Sequence, residues 1–134
     1  MLKLSTPFLR RVLWLDAASG AVMIVAHFGL TGLLSEGLGL PAIWLQVSGL
    51  VVCAAVLLSG SLASSVPPPP TGVRLLALGN FLWVAASLWT VWGAGLPLST
   101  LGKVWILLQA AFVFILAELE WAGGRQHTEG LAQA

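Results

Sequence analysis

Charge is what this chain has least of. Asp, Glu, Lys and Arg together make up 8% of its 134 residues, while hydrophobic residues make up 58%. A soluble domain carries about 25% charged residues, so there is too little charge here to wet the surface of a globule. The same scarcity excludes a disordered chain, which is polar and charge-rich. With a net charge of +1 and no basic cluster beyond Arg10 and Arg11, nucleic acid is not an expected partner. Tyrosine is missing altogether, and cysteine occurs once, as Cys53. A lone thiol forms neither an internal disulfide nor a CxxC redox pair. That removes the four-helix thiol oxidases and leaves Cys53 as a small buried hydrophobe. The class that remains is an integral membrane protein, with the lipid bilayer as its first partner.

Long apolar runs are what the chain has instead. A helix needs about 20 apolar residues to cross a bilayer core, and four windows qualify, at 12–34, 41–63, 73–95 and 101–122. They are continuous rather than alternating, which argues against a transmembrane barrel. The expected fold is all-α, a four-helix transmembrane bundle running up-down-up-down as a single domain over 1–134. The first run follows Lys3, Arg10 and Arg11 but is too long for a signal peptide, contains Asp16 and His27, and lacks a small-x-small cleavage site. Twin-arginine export is not indicated either, because Leu9 precedes the arginine pair. With four spans, Lys3, Arg10, Arg11, Arg74 and Arg125 fall on one side and only Lys103 on the other. The positive-inside rule then places both termini in the cytoplasm.

The connections read as turn chemistry. Gly37-Leu38-Gly39-Leu40-Pro41 recurs as Gly93-Ala94-Gly95-Leu96-Pro97 at an offset of 56 residues, which suggests two hairpin repeats or convergent turn chemistry. Pro67-Pro68-Pro69-Pro70 predicts a stiff polyproline II spacer. The segment after Glu120, with Gly123-Gly124-Arg125, reads as a polar tail that frays. Of the seven tryptophans, Trp14 and Trp121 match one membrane boundary and Trp44, Trp92 and Trp105 the other, as an interfacial belt does. Trp83 and Trp89 lie deeper.

Polar residues within the spans cost free energy and need partners. On the first helix Asp16, Gly20, Met23, His27 and Thr31 share one face at helical spacing. Asn80, Trp83, Ser87 and Thr90 do so on the third, and Trp105, Gln109, Phe112, Leu116 and Glu120 on the fourth. The second offers Gln46, Gly49, Cys53 and Gly60, where glycine permits close helix approach. By depth, His27, Gln46, Thr90 and Gln109 form one layer in the expected outer half. Its reading is either a ligand pocket walled by Trp89 and Trp105 or a packed hydrogen-bond layer. A second layer, expected near the cytoplasm, brings Asp16, Glu118 and Glu120 to the level of Arg10, Arg11, Arg74 and Arg125. It predicts a structural ion-pair network that includes Asp16, Arg74 and Glu120.

No nucleophile elbow, zincin motif or phosphate-binding loop is present, so no catalytic residue and no metal site are assigned. A bis-histidine haem would need two membrane histidines from this chain. Only His27 lies in a span, since His127 is in the tail. No cofactor is therefore expected.

The segments Leu13-Trp14-Leu15-Asp16-Ala17, Gly79-Asn80-Phe81-Leu82-Trp83-Val84-Ala85-Ala86-Ser87 and Ala117-Glu118-Leu119-Glu120 resemble a family of small four-span bacterial inner-membrane proteins with no assigned activity. The resemblance implies a four-helix fold in a bacterial inner membrane and implies no function. Two expectations follow from the residues. The first is a non-enzymatic accessory or scaffolding subunit, within a homo-oligomer or a larger membrane complex. The second is a small-molecule or ion binder or transporter acting through the outer-half polar layer.

Overall fold

The computed structural model describes residues 3–133, with side chains described up to 126 and at 129. Five helices follow one another: α1 (Thr6–Gly29), α2 (Thr31–Leu38), α3 (Ala42–Ser64), α4 (Pro70–Trp92) and α5 (Thr100–Gln133). Four of them, α1, α3, α4 and α5 through Gln126, are long and apolar enough to cross a membrane. No strand occurs among the described residues. The fold is an all-α bundle.

Several boundaries differ from those expected. The Ser5 hydroxyl caps α1 by accepting from Phe8 N (3.3 Å), and Pro7 tolerates the first turn because its missing N–H would be unpaired there anyway. The helix therefore starts six residues early, and the basic pair Arg10–Arg11 lies within it. It breaks at Leu30 (φ −121°, ψ 24°), and a short second helix follows instead of a straight span to residue 34. The four prolines do not form one rod. Pro70 already belongs to α4, so only three of them remain in the connection. The expected frayed tail is instead a continuation of α5. Gly123 and Gly124 are buried there against Leu9 and Arg74, and a Cβ at either would crowd its neighbour. His127 lies outside the described side chains.

The two matching turns share a feature beyond composition. Gly39 and Gly95 both adopt positive φ, 74° and 66°, a conformation in which an L side chain is strained by about 1–2 kcal/mol. Gly39 has a further constraint, because a Cβ there would run into the Pro97 carbonyl oxygen. Ser99 ties the same corner. Its N–H donates to Leu38 O (3.1 Å), its hydroxyl donates to Gly37 O (2.8 Å), and Gly102 N donates to that hydroxyl (2.9 Å). One side chain thus joins the end of α2 to the start of α5.

Packing is uneven. α1 lies along α3 and α4 along α5, while α3 and α4 meet only sparsely. Glycine permits the first pairing: Gly49 seats Phe28 and the Cβ of His27, and Gly20 faces Val56. Gly60, expected to serve the same purpose, has open space around it. Apolar clusters close the two ends. Leu9, Leu13, Leu62, Ala63, Val73 and Leu76 form one, and Leu38, Leu40, Leu45 and Ile106 the other. Only 22–28% of each span's most apolar stretch is buried within the chain, so most apolar side chains face outward, as lipid requires.

Candidate functional site

Between the two apolar ends, the spans place polar side chains in two layers. Residues 11 apart on a helix return to within about 20° of one face and are separated by about 16 Å. That spacing occurs three times, in Asp16 and His27 on α1, Ser48 and Ser59 on α3, and Gln109 and Glu120 on α5. On α4 the corresponding pair is Asn80 and Ser87, seven apart. Each layer draws one residue from each span.

The layer of His27, Ser48, Ser87 and Gln109 borders a cavity of about 700 Å³. Gln109 organises its α4–α5 wall. Its Oε1 accepts from Trp83 Nε1 (2.7 Å), and its Nε2 donates to Ser87 Oγ (3.0 Å) and to Ile106 O (3.0 Å). Ser87 in turn donates to Trp83 O (2.8 Å). On the other wall, Ser48 Oγ lies 3.2 Å from His27 Nδ1 and donates to Leu45 O (3.0 Å). A hydroxyl has one proton to give. With it directed to Leu45, Nδ1–H of His27 is the donor to Ser48, and Nε2 carries a lone pair with no partner among the described residues. The remaining lining is apolar and aromatic, including Trp44, Trp83 and Trp105. The cavity draws its lining from α1, α3, α4 and α5.

Of the residues expected to form this layer, His27, Thr90, Gln109 and Trp105 line the cavity. Thr90 donates to its own helix at Ala86 O (2.8 Å). Gln46 does not join them. It is exposed in the first turns of α3, on a face turned away from Leu45 and Gly49, which are buried. Trp89 is not in the lining either. It is 56% exposed and stacks on the lining residue Trp44, with centroids 5.8 Å apart.

The second layer consists of Asp16, Ser59, Asn80 and Glu120, all buried. Asn80 Nδ2 donates to Glu120 Oε2 (2.9 Å), while Glu120 Oε1 is buried without a hydrogen-bond partner among the described residues. Asp16 faces Ser59 and Asn80 in the same layer. Among the described residues, none of the expected ion pairs joins Asp16, Arg74 and Glu120. Arg74 lies 5.2 Å over the Trp121 ring, and Arg10 Nε donates to Ala63 O (2.9 Å) at the end of α3. Both guanidiniums stay near the helix ends, where an aromatic face and free carbonyls satisfy them without full desolvation. Glu118 is exposed on another face of α5. Among the described residues, no group of three His, Cys, Asp or Glu side chains is placed to hold a metal ion.

Ser48 and Ser59 carried little signal in the sequence. A membrane serine can bond its own helix, as both do here, Ser59 to Val56 O at 3.3 Å. Their 11-residue spacing, equal to that of Asp16 and His27, was the available clue.

Comparison with family models, with curated proteins and with solved structures finds no match for this chain.

Proposed function

We propose that the protein is a non-catalytic membrane receptor or carrier for a small lipid-soluble molecule, held in the cavity between the α1–α3 and α4–α5 pairs. The observation that carries this reading is the cavity itself. It is of ligand size, about 700 Å³, with walls mainly apolar and a few convergent polar atoms, which is the pattern of small-molecule sites. Trp44, Trp83 and Trp105 supply ring faces, and His27 Nε2 supplies one unpaired acceptor. The ligand class is therefore an apolar molecule with a single hydrogen-bond donor, such as a long-chain alcohol or phenol. The sparse α3–α4 contact offers entry from the lipid. A scaffolding subunit would need no such cavity.

We further propose that the protein resides in a bacterial inner membrane with both termini cytoplasmic. Five of six basic residues support this orientation. The Leu4 N–H donates to Gln126 Oε1 (2.7 Å), so the start of the chain adjoins the late part of α5.

A brominated long-chain alcohol tests the ligand class through quenching of tryptophan fluorescence in vesicles. The expected result is saturable quenching, at least about tenfold weaker in apparent affinity for the methyl ether of the same alcohol and for His27→Phe, from loss of one buried hydrogen bond. Equal quenching by alcohol and ether, or only the non-saturating quenching of lipid partition, refutes it.

A further inference from the structure

The second polar layer is not used by the ligand cavity, and it contains an atom without a partner. Glu120 is fully buried, at 0% exposure; its Oε2 is engaged by Asn80, and its Oε1 has no partner among the described residues. Asp16, 8% exposed, contributes a second carboxyl group to the same cluster. Native structures leave buried polar atoms bare rarely, and each instance points to strain, function or an unseen species.

The facing groups can be enumerated by element. α1 presents Asp16, α3 presents the Ser59 hydroxyl, α4 presents the Asn80 amide and α5 presents Glu120. None is cationic. The nearest guanidiniums are engaged elsewhere, Arg74 on Trp121 and Arg10 on Ala63 O, and Glu118 is exposed. Two carboxylates so placed in an apolar interior cannot both carry their charge unaided. A positive species has to complete the site. The Asn80 amide already aims an N–H into it, which disfavours a metal ion beside that donor. A proton needs one oxygen and no further ligands.

We propose that Asp16 and Glu120 form one proton-binding site, in which a single exchangeable proton is shared by the pair and oriented by Asn80 and Ser59. Binding adds the proton to a carboxylate oxygen, forming one O–H bond, and release returns it to water; no other bond changes. The two carboxyls titrate as a unit because each feels the other. About 16 Å along the helices separates this site from His27 and Gln109, so it stands whether or not the cavity holds a ligand.

Infrared difference spectroscopy on the protein in lipid vesicles, stepped through pH, reads the site directly. The wild type is expected to show one protonated-carboxyl C=O band that shifts in deuterated water. Glu120→Gln and Asp16→Asn are each expected to abolish the band or to move its titration midpoint at least about tenfold in proton concentration. Glu118→Gln is expected to leave it unchanged. A wild type with no such band overturns the proposal, and this outcome does not depend on any variant folding. A band that responds to only one of the two substitutions overturns the sharing. Removal of the band by sodium ions at constant pH overturns the choice of a proton and makes the cluster a cation site.

Discussion

Asn80→Leu is expected to destabilise the bundle by about 3–5 kcal/mol, the range for removing one member of a buried charged network. An ordinary interhelical hydrogen bond in a membrane is worth only about 0.6 kcal/mol, so the size of the effect discriminates. The larger figure arises because the leucine leaves Glu120 with both oxygens bare at 0% exposure and deprives Asp16 of its amide neighbour. The loss is dominated by an unsatisfied buried group rather than by the bond itself. Replacing both partners, Asn80→Leu with Glu120→Leu, is therefore expected to recover most of the stability. The check is a double-mutant cycle on the midpoint of unfolding in mixed micelles. A single substitution that shifts stability by no more than an ordinary bond would mean that the four-helix layer carries little energy.

Filling the cavity should act on binding and spare the fold. Gly79 lines the cavity, and a Cβ built there meets no atom within 4 Å. Gly79→Trp therefore adds a large side chain without an immediate clash. It also removes a helix-weakening glycine, worth a few tenths of a kcal/mol. Occupation of the cavity by an indole ring is expected to weaken binding of the brominated alcohol by about 100-fold or more, equivalent to about 2.7 kcal/mol. The unfolding midpoint should not fall. Ala86→Trp, on the same helix and in the same lining, is the second variant, for the case in which the first ring turns toward lipid. Undiminished saturable quenching in both variants would show that the ligand binds elsewhere.

The sequence made the number of spans legible because a bilayer imposes a length requirement that four runs meet. The inward faces of α1, α4 and α5 were legible because Asp16, Asn80, Gln109 and Glu120 are too polar to face lipid. α3 was not read in the same way. Its inward residues, Ser48 and Ser59, satisfy themselves on their own helix, while Gln46, the more polar side chain, lies early enough in α3 to remain exposed. Depth alone could not separate Gln46 from Ser48, which lie about 200° apart around the helix. Arg74 was assigned to Glu120 by level, yet it lies over Trp121, the neighbour of Glu120 in sequence. One residue on α5 is about 100° of rotation, enough to exchange a carboxylate for an aromatic face. The break at Leu30 had no proline to announce it. Gly123 and Gly124, read as a frayed tail by composition, let α5 pack closely against Leu9 and Arg74, which a Cβ would crowd.

The polar groups thus fall into two sites of different character along the same four helices. One surrounds a cavity and leaves an acceptor open at His27. The other is closed and leaves a carboxylate oxygen bare at Glu120.

The most direct measurement is extraction of the protein purified from its native membrane with organic solvent, followed by mass spectrometry of what it carried, alongside Gly79→Trp. The account predicts one class of lipid-soluble compound bearing a hydroxyl or other hydrogen-bond donor, enriched over the bulk lipids with the wild type and absent from the variant. The same lipids in the same proportions from both proteins would contradict it.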